Sequence, residues 1–159
     1  MASPRLGSSD AFWFVLCAAG LLAWTIYGYP AATLALVAAS LALGAGSLWS
    51  CRMLLGARAA RTFLATGLVL GWLAEQAGAT QGWLFGHYTY TEVLGPRLGA
   101  VPLVIPLLWF SLAYIGYVLA SLLLWRQPVG TAPDWRSQGL TALAAAMIVT
   151  AFDLGADPY

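Results

Sequence analysis

Residues 67–109 read GLVLGWLAEQAGATQGWLFGHYTYTEVLGPRLGAVPLVIPLLW. An acid sits on a glycine-faced apolar helix; a glycine- and aromatic-rich connector follows, and then an apolar segment opened by prolines. Gly67, Gly71 and Glu75 recur at i, i+4 and i+8, so they share one helix face. Glycines at that spacing let helix backbones approach closely inside a membrane. Glu75 is therefore expected to point into a bundle and away from lipid. An acid at the centre of a membrane helix costs about 2.5–3.5 kcal/mol on insertion scales, so its retention there marks a candidate functional site.

Working outward, the composition fits a membrane protein: 61% of the 159 residues are hydrophobic and 8% charged, with mean hydropathy +0.79. Soluble domains carry about 25% charged residues. There is no lysine, and seven arginines nearly balance six acids, which excludes a basic nucleic-acid surface. Five apolar stretches stand out, at Ala11–Tyr27, Ala31–Trp49, Thr62–Gly78, Val101–Trp125 and Gln138–Phe152. In lipid each must satisfy its backbone hydrogen bonds internally, so each should be a helix. The expected fold is all-α: one polytopic integral membrane bundle of about five transmembrane helices over residues 1–159, with no internal repeat. Arg5 before the first stretch has the outline of a signal peptide, but the apolar run is long and lacks a small-x-small cleavage site, so it reads as a retained span. Cys17 and Cys51, far apart in apolar segments, read as small core residues.

Arginines set the expected orientation. Arg52, Arg58 and Arg61 fall between the second and third spans, and Arg126 and Arg136 flank the loop after the fourth. The positive-inside rule puts both regions and the N-terminus in the cytoplasm. Glu75, His87, Glu92, Asp153 and Asp157 then share the outer end of the bundle.

The other spans carry weaker signals. Ala142, Ala146 and Thr150 form an expected small face on the fifth, continued by Asp153; Asp157 lies one turn further, and Pro158 pushes it out of helical conformation. On the fourth, Pro102 suits a first helical turn, while Pro106 should free a backbone carbonyl or delay the regular helix. Ser111, Tyr114 and Ser121 give a thin polar stripe there, with Tyr117 beside it. Ala38, Ala42 and Gly46 on the second span read as a packing seam. The connector Ala79–Ala100 suits an interface-lying or re-entrant lid, since Trp83, Phe85, Tyr88 and Tyr90 favour that depth. Gly82, Gly86, Gly95 and Gly99 supply its turns. His87 is the only histidine, and a lone histidine is poor grounds for a metal site.

These pieces resemble the carotenoid biosynthesis membrane family of the bisanhydrobacterioruberin hydratase type. The resemblance is carried by Glu75 with Gly78, the run Gly82-Trp83-Leu84-Phe85-Gly86-His87-Tyr88-Thr89-Tyr90, and Leu94-Gly95-Pro96. It continues through Val101-Pro102-Leu103-Val104-Ile105-Pro106-Leu107-Leu108-Trp109 to Asp153 and Asp157-Pro158. It implies a multi-pass cell-membrane enzyme without an organic cofactor or metal, adding water across the terminal double bond of an acyclic carotenoid such as lycopene or bisanhydrobacterioruberin. Members of that family continue past the Asp-Pro motif with further helices, so a chain ending at Tyr159 is expected to be a C-terminally truncated member.

Such a hydration needs a proton donor able to make a tertiary carbocation, and a water placed to capture it. Burial disfavours the charged form of a carboxyl and so suits it to the first task; aromatic faces stabilise the cation. The expected catalytic residues are Glu75, Asp153 and Asp157. The expected substrate-binding residues are Trp83, Phe85, His87, Tyr88, Tyr90, Trp109 and Tyr114. The expected partners are the isoprenoid substrate and the lipid bilayer, with other enzymes of the carotenoid pathway as candidates and nucleic acid excluded.

Three competing readings remain. Asp153 and Asp157 have the spacing of a prenyltransferase's Mg²⁺-diphosphate site, though the outer end offers diphosphate only Arg97. A lycopene-cyclase-like enzyme would use the same protonation. A non-catalytic membrane subunit would tolerate loss of the acids.

The orientation is testable by single-cysteine labelling at positions 58 and 91 after removal of Cys17 and Cys51. Position 91 should label from outside intact cells and position 58 only after permeabilisation; the reverse pattern would overturn the orientation.

Overall fold

A computed structural model describes residues 8–83, 88–129 and 134–156. Five long helices make the architecture: α1 (Ser8–Gly28), α2 (Ala31–Leu55), α3 (Ala57–Gln81), α4 (Val104–Trp125) and α5 (Trp135–Ala156). Helices α1, α2, α4 and α5 are each long and apolar enough to cross a membrane. Helix α3 is 25 residues long and packs against both α2 and α4. The result is the expected all-α membrane bundle, with α4 at its centre touching α2, α3 and α5, and α1 resting on α2. Phe12, Trp13, Val15 and Trp24 leave α1 more than half exposed, as lipid-facing residues would.

Two long helices replace an expected loop. Residues 50–61 were expected to separate the second and third spans, yet α2 runs to Leu55 and α3 starts at Ala57. Only Gly56 intervenes, at φ 87° and ψ 163°, a left-handed region that residues with a Cβ rarely adopt. The stretch is rich in Leu, Ala, Met and Arg, which are good helix formers; charge ends a membrane span without ending a helix. The arginines therefore sit on helix ends, Arg52 in the last turn of α2 and Arg58 and Arg61 in the opening turns of α3.

The connector folds over the other end of the bundle. Gly82 caps α3 in left-handed conformation, and Gly95 and Gly99 take φ of 83° and 65°. A 3₁₀ turn at Glu92–Leu94 leads into a short hairpin of β1 (Arg97–Leu98) and β2 (Val101–Pro102), paired antiparallel. Pro102 is thus in a strand and not in a helical turn. Helix α4 begins late, at Val104, and Pro106 falls in its first turn, where a missing N–H costs no bond. The hairpin is strapped to α3: Trp72 Nε1 donates to the Leu98 carbonyl at 3.1 Å, and the Ala100 N–H donates to Gln76 Oε1 at 3.0 Å.

The glycine face of α3 packs as expected. A Cβ on Gly67 would meet Phe110 Cα at 3.0 Å, and one on Gly71 would meet Trp109 Cβ at 2.9 Å. The expected seams on α2 and α5 are displaced. Ala38, Ala42 and Gly46 are exposed, and α2 instead buries Thr33, Val37, Ser40, Gly44, Ser47 and Cys51. Gly44 is the contact point, where a Cβ would lie 2.7 Å from Leu107. On α5, Ala142, Ala146 and Thr150 are exposed, while Thr141 and Ala145 are buried. Gly116 of α4 decides this register: a Cβ there would meet Val149 at 2.7 Å and the Ala145 carbonyl at 3.1 Å. Thr141, Ala145, Val149 and Asp153 form one i, i+4 row, so Asp153 still continues the packed side.

Replacing Gly71 with Leu should cost about 1–3 kcal/mol through overpacking against Trp109. Leu70→Ile, at a position 59% exposed, should be mild. Equal thermal midpoints for the two variants in detergent would show that this face packs against nothing.

Candidate functional site

Glu75 is 7% exposed, and three donors from two elements close on its carboxyl group. Trp109 Nε1 on α4 donates to Oε1 at 2.6 Å. The Tyr88 hydroxyl in the connector donates to Oε2 at 2.5 Å, and the Tyr90 hydroxyl bonds the same oxygen. The two phenol rings pack edge to face, 5.5 Å between centroids. A buried carboxyl without partners would be costly, and here the partners satisfy both oxygens.

Small residues make this convergence possible. Gly71, one turn before Glu75, admits Trp109. Gly78, about one turn after, admits Tyr88: a Cβ there would lie 2.6 Å from the Tyr88 hydroxyl. Each glycine clears the path of one donor. The connector fixes the third, because Arg97 Nη2 donates to the Tyr90 carbonyl at 2.7 Å. Trp72, Gln76 and Arg97 thus position the site without touching the acid. Their only sequence signal is polarity next to an apolar run, which composition alone does not separate from an ordinary interface.

The electrostatics follow from burial. Desolvation, and then the hydrogen bond to Glu75 and its charge, push both the Tyr88 and Tyr90 hydroxyls well above the usual phenol range. Asp153 on α5 is half-buried, and its charge adds to the upward shift of Tyr88. The acid of α5 is thereby within electrostatic reach of Tyr88, one of the two phenols that hold Glu75.

The remaining expected residues divide. Trp109, Tyr88 and Tyr90 are gathered on Glu75. Trp83 follows the cap of α3 and is 64% exposed. Tyr114 lies toward the opposite end, with its hydroxyl 2.6 Å from Ser50 Oγ and its ring in a core with Cys51, Ala60 and Phe63. Five residues along a helix turn the side chain by about 140° from Trp109, which takes Tyr114 to the α2 side. Phe85, His87 and Asp157 lie outside the described residues. Arg97, the outer-end cation weighed for a diphosphate, is occupied with the Tyr90 backbone.

A family model described as carotenoid biosynthesis protein matches residues 28–159. The bisanhydrobacterioruberin hydratase of Haloarcula japonica is 38% identical over 85 residues, which are 53% of this chain and 27% of that protein. The chain therefore matches about a quarter of that relative's length. No solved structure matches the chain.

The raised phenols make stability pH-dependent. Below the ordinary phenol value of 10.0 both stay protonated whether the chain is folded or not. Above it the unfolded chain releases protons that the folded chain keeps, so stability falls as pH rises. Thermal midpoints of the wild type should drop more steeply above pH 10 than those of the Tyr88→Phe/Tyr90→Phe variant. Parallel profiles would contradict the half-buried placement of the phenols against Glu75.

Proposed function

We propose, from the premise that the chain belongs to the carotenoid biosynthesis protein family, that it hydrates the terminal carbon–carbon double bond of an acyclic carotenoid in the cell membrane. The observation that carries this reading is the buried Glu75 carboxyl bound by two phenols and an indole. A phenol hydroxyl can donate to a carboxylate or accept from a carboxylic acid. The same cage therefore serves both states of a group that gives up and regains a proton.

The steps balance without a cofactor. Glu75 in its acid form passes a proton to the less substituted carbon of the terminal double bond, leaving a tertiary carbocation. Water adds to the cation through oxygen, and the resulting oxonium loses a proton to a carboxylate, giving a tertiary alcohol. Asp153 is the candidate for holding that water, on the strength of its charge reaching Tyr88 and its place on the packed side of α5. The Trp109 indole, bonded to the same carboxyl group, supplies an aromatic surface for the cation. The relative's printed name supports hydration as the reaction class.

Expression in a host that makes lycopene, followed by mass analysis of the pigments, tests the reading. A gain of one water supports hydration; an isomer would mean cyclisation, and an added prenyl unit would mean transfer. Glu75→Gln keeps size and hydrogen bonding but removes the transferable proton, and Asp153→Asn does the same at the second acid. Each should lower product by about 10²–10⁴ while the protein stays inserted, the usual loss with general acid–base catalysis. Wild-type product from both variants would make the carboxylates structural.

A further inference from the structure

An open groove of about 1140 Å³ runs along the seam of α3 and α4, from the Gly56 break to Trp109. Thr62, Phe63, Thr66, Leu70 and Ala74 form its α3 side, with Ala113 and Trp109 on α4. From Ala57 to Ala74 the helix rise gives a length of about 26 Å, most of the ~30 Å hydrocarbon thickness of a bilayer. Gly67 and Gly71 keep its floor low. Trp109, whose indole bonds Glu75, lines the groove, so the groove and the acid share a wall.

We propose that this groove holds the linear polyene chain of the substrate, with the reacting end group at Trp109 and the far end toward Gly56. The choice of substrate rests on the hydration reading above; the length and course of the groove are independent of it. A phospholipid acyl chain reaches only half the bilayer, so filling the groove with lipid takes two chains from opposite leaflets, whereas one long chain fills it alone. A chain filling it crosses both leaflets, as a rigid conjugated hydrocarbon of carotenoid length does. Such a chain is already straight and loses little conformational freedom on binding. Because the groove opens sideways, the substrate enters from the membrane and needs no aqueous route.

The test blocks the groove midway. Thr66 is exposed on the packed helix, so Thr66→Trp fills the channel without touching the glycine contacts. Leu143→Trp, on a lipid-facing position of α5 that is 59% exposed, is the control. The whole chain is purified from lycopene-producing cells; bound lycopene is read by absorbance and its oligomeric state by mass. Turnover is then measured on lycopene and on a short acyclic terpene with the same terminal alkene.

Thr66→Trp should lose about tenfold in lycopene retention and turnover while staying within about twofold of wild type on the short terpene, and Leu143→Trp should change neither. Lycopene retention by Thr66→Trp at the wild-type level overturns the groove even where Glu75→Gln is inactive. Loss of retention in a chain whose wild type adds no water supports the groove and overturns the hydration reading instead. A change of oligomeric mass in Thr66→Trp, or phospholipid in the groove that lycopene fails to displace, also overturns the proposal.

Discussion

Everything near the acid depends on close approach to the backbone of α3. Glu75 can be buried because Gly71 and Gly78, on either side of it, leave space for Trp109 and the Tyr88 hydroxyl. A methyl group at either position would push a donor away and leave a carboxyl oxygen short of a partner inside the bundle, where such a deficit is expensive. The same approach sets the larger architecture. Gly67 and Gly71 seat α4 on α3, and Gly44 and Gly116 seat α2 and α5 on α4. In lipid the hydrophobic effect does little to join helices, so contact distance and polar bonds have to do it.

The connector completes the site in a way that local packing could not. Its hairpin is anchored on α3 through Trp72 and Gln76, and its arginine grips the Tyr90 backbone. Gly95 rests against Thr33 and Val37 of α2. The segment between Thr89 and Leu103 is thus tied to two helices, and the phenols that reach Glu75 project from a braced element. Buried hydroxyls elsewhere take a cheaper route: Thr25, Ser40 and Ser111 each donate to the carbonyl four residues back.

Much of this was legible in the sequence, and the failures have physical causes. The face of Gly67, Gly71 and Glu75 was readable because glycines and an acid contrast with their leucine and valine neighbours. On α5, residues 144–146 are all alanine, so size gives no contrast, and Gly116 on another helix selects the buried row. The α2 seam failed for the same reason: Gly44 and Gly46 are alike in size, and Leu107 on α4 selects Gly44 as the contact. Tyr114 is not gathered on Glu75, because helical phase relative to Trp109 turns it toward Ser50, which the polarity of its hydroxyl does not reveal. Gly56 shows the limit of charge as a boundary signal, since arginines end a span while the helix continues.

A double-mutant cycle between Glu75→Leu and Tyr90→Phe, read as unfolding free energy in detergent, measures the bond at the heart of this account. Glu75→Leu with Tyr114→Phe serves as the distant reference pair. The account predicts a coupling of about 0.5–3 kcal/mol for Glu75 with Tyr90 and additivity within about 0.5 kcal/mol for Glu75 with Tyr114. Additive effects at both pairs would contradict it.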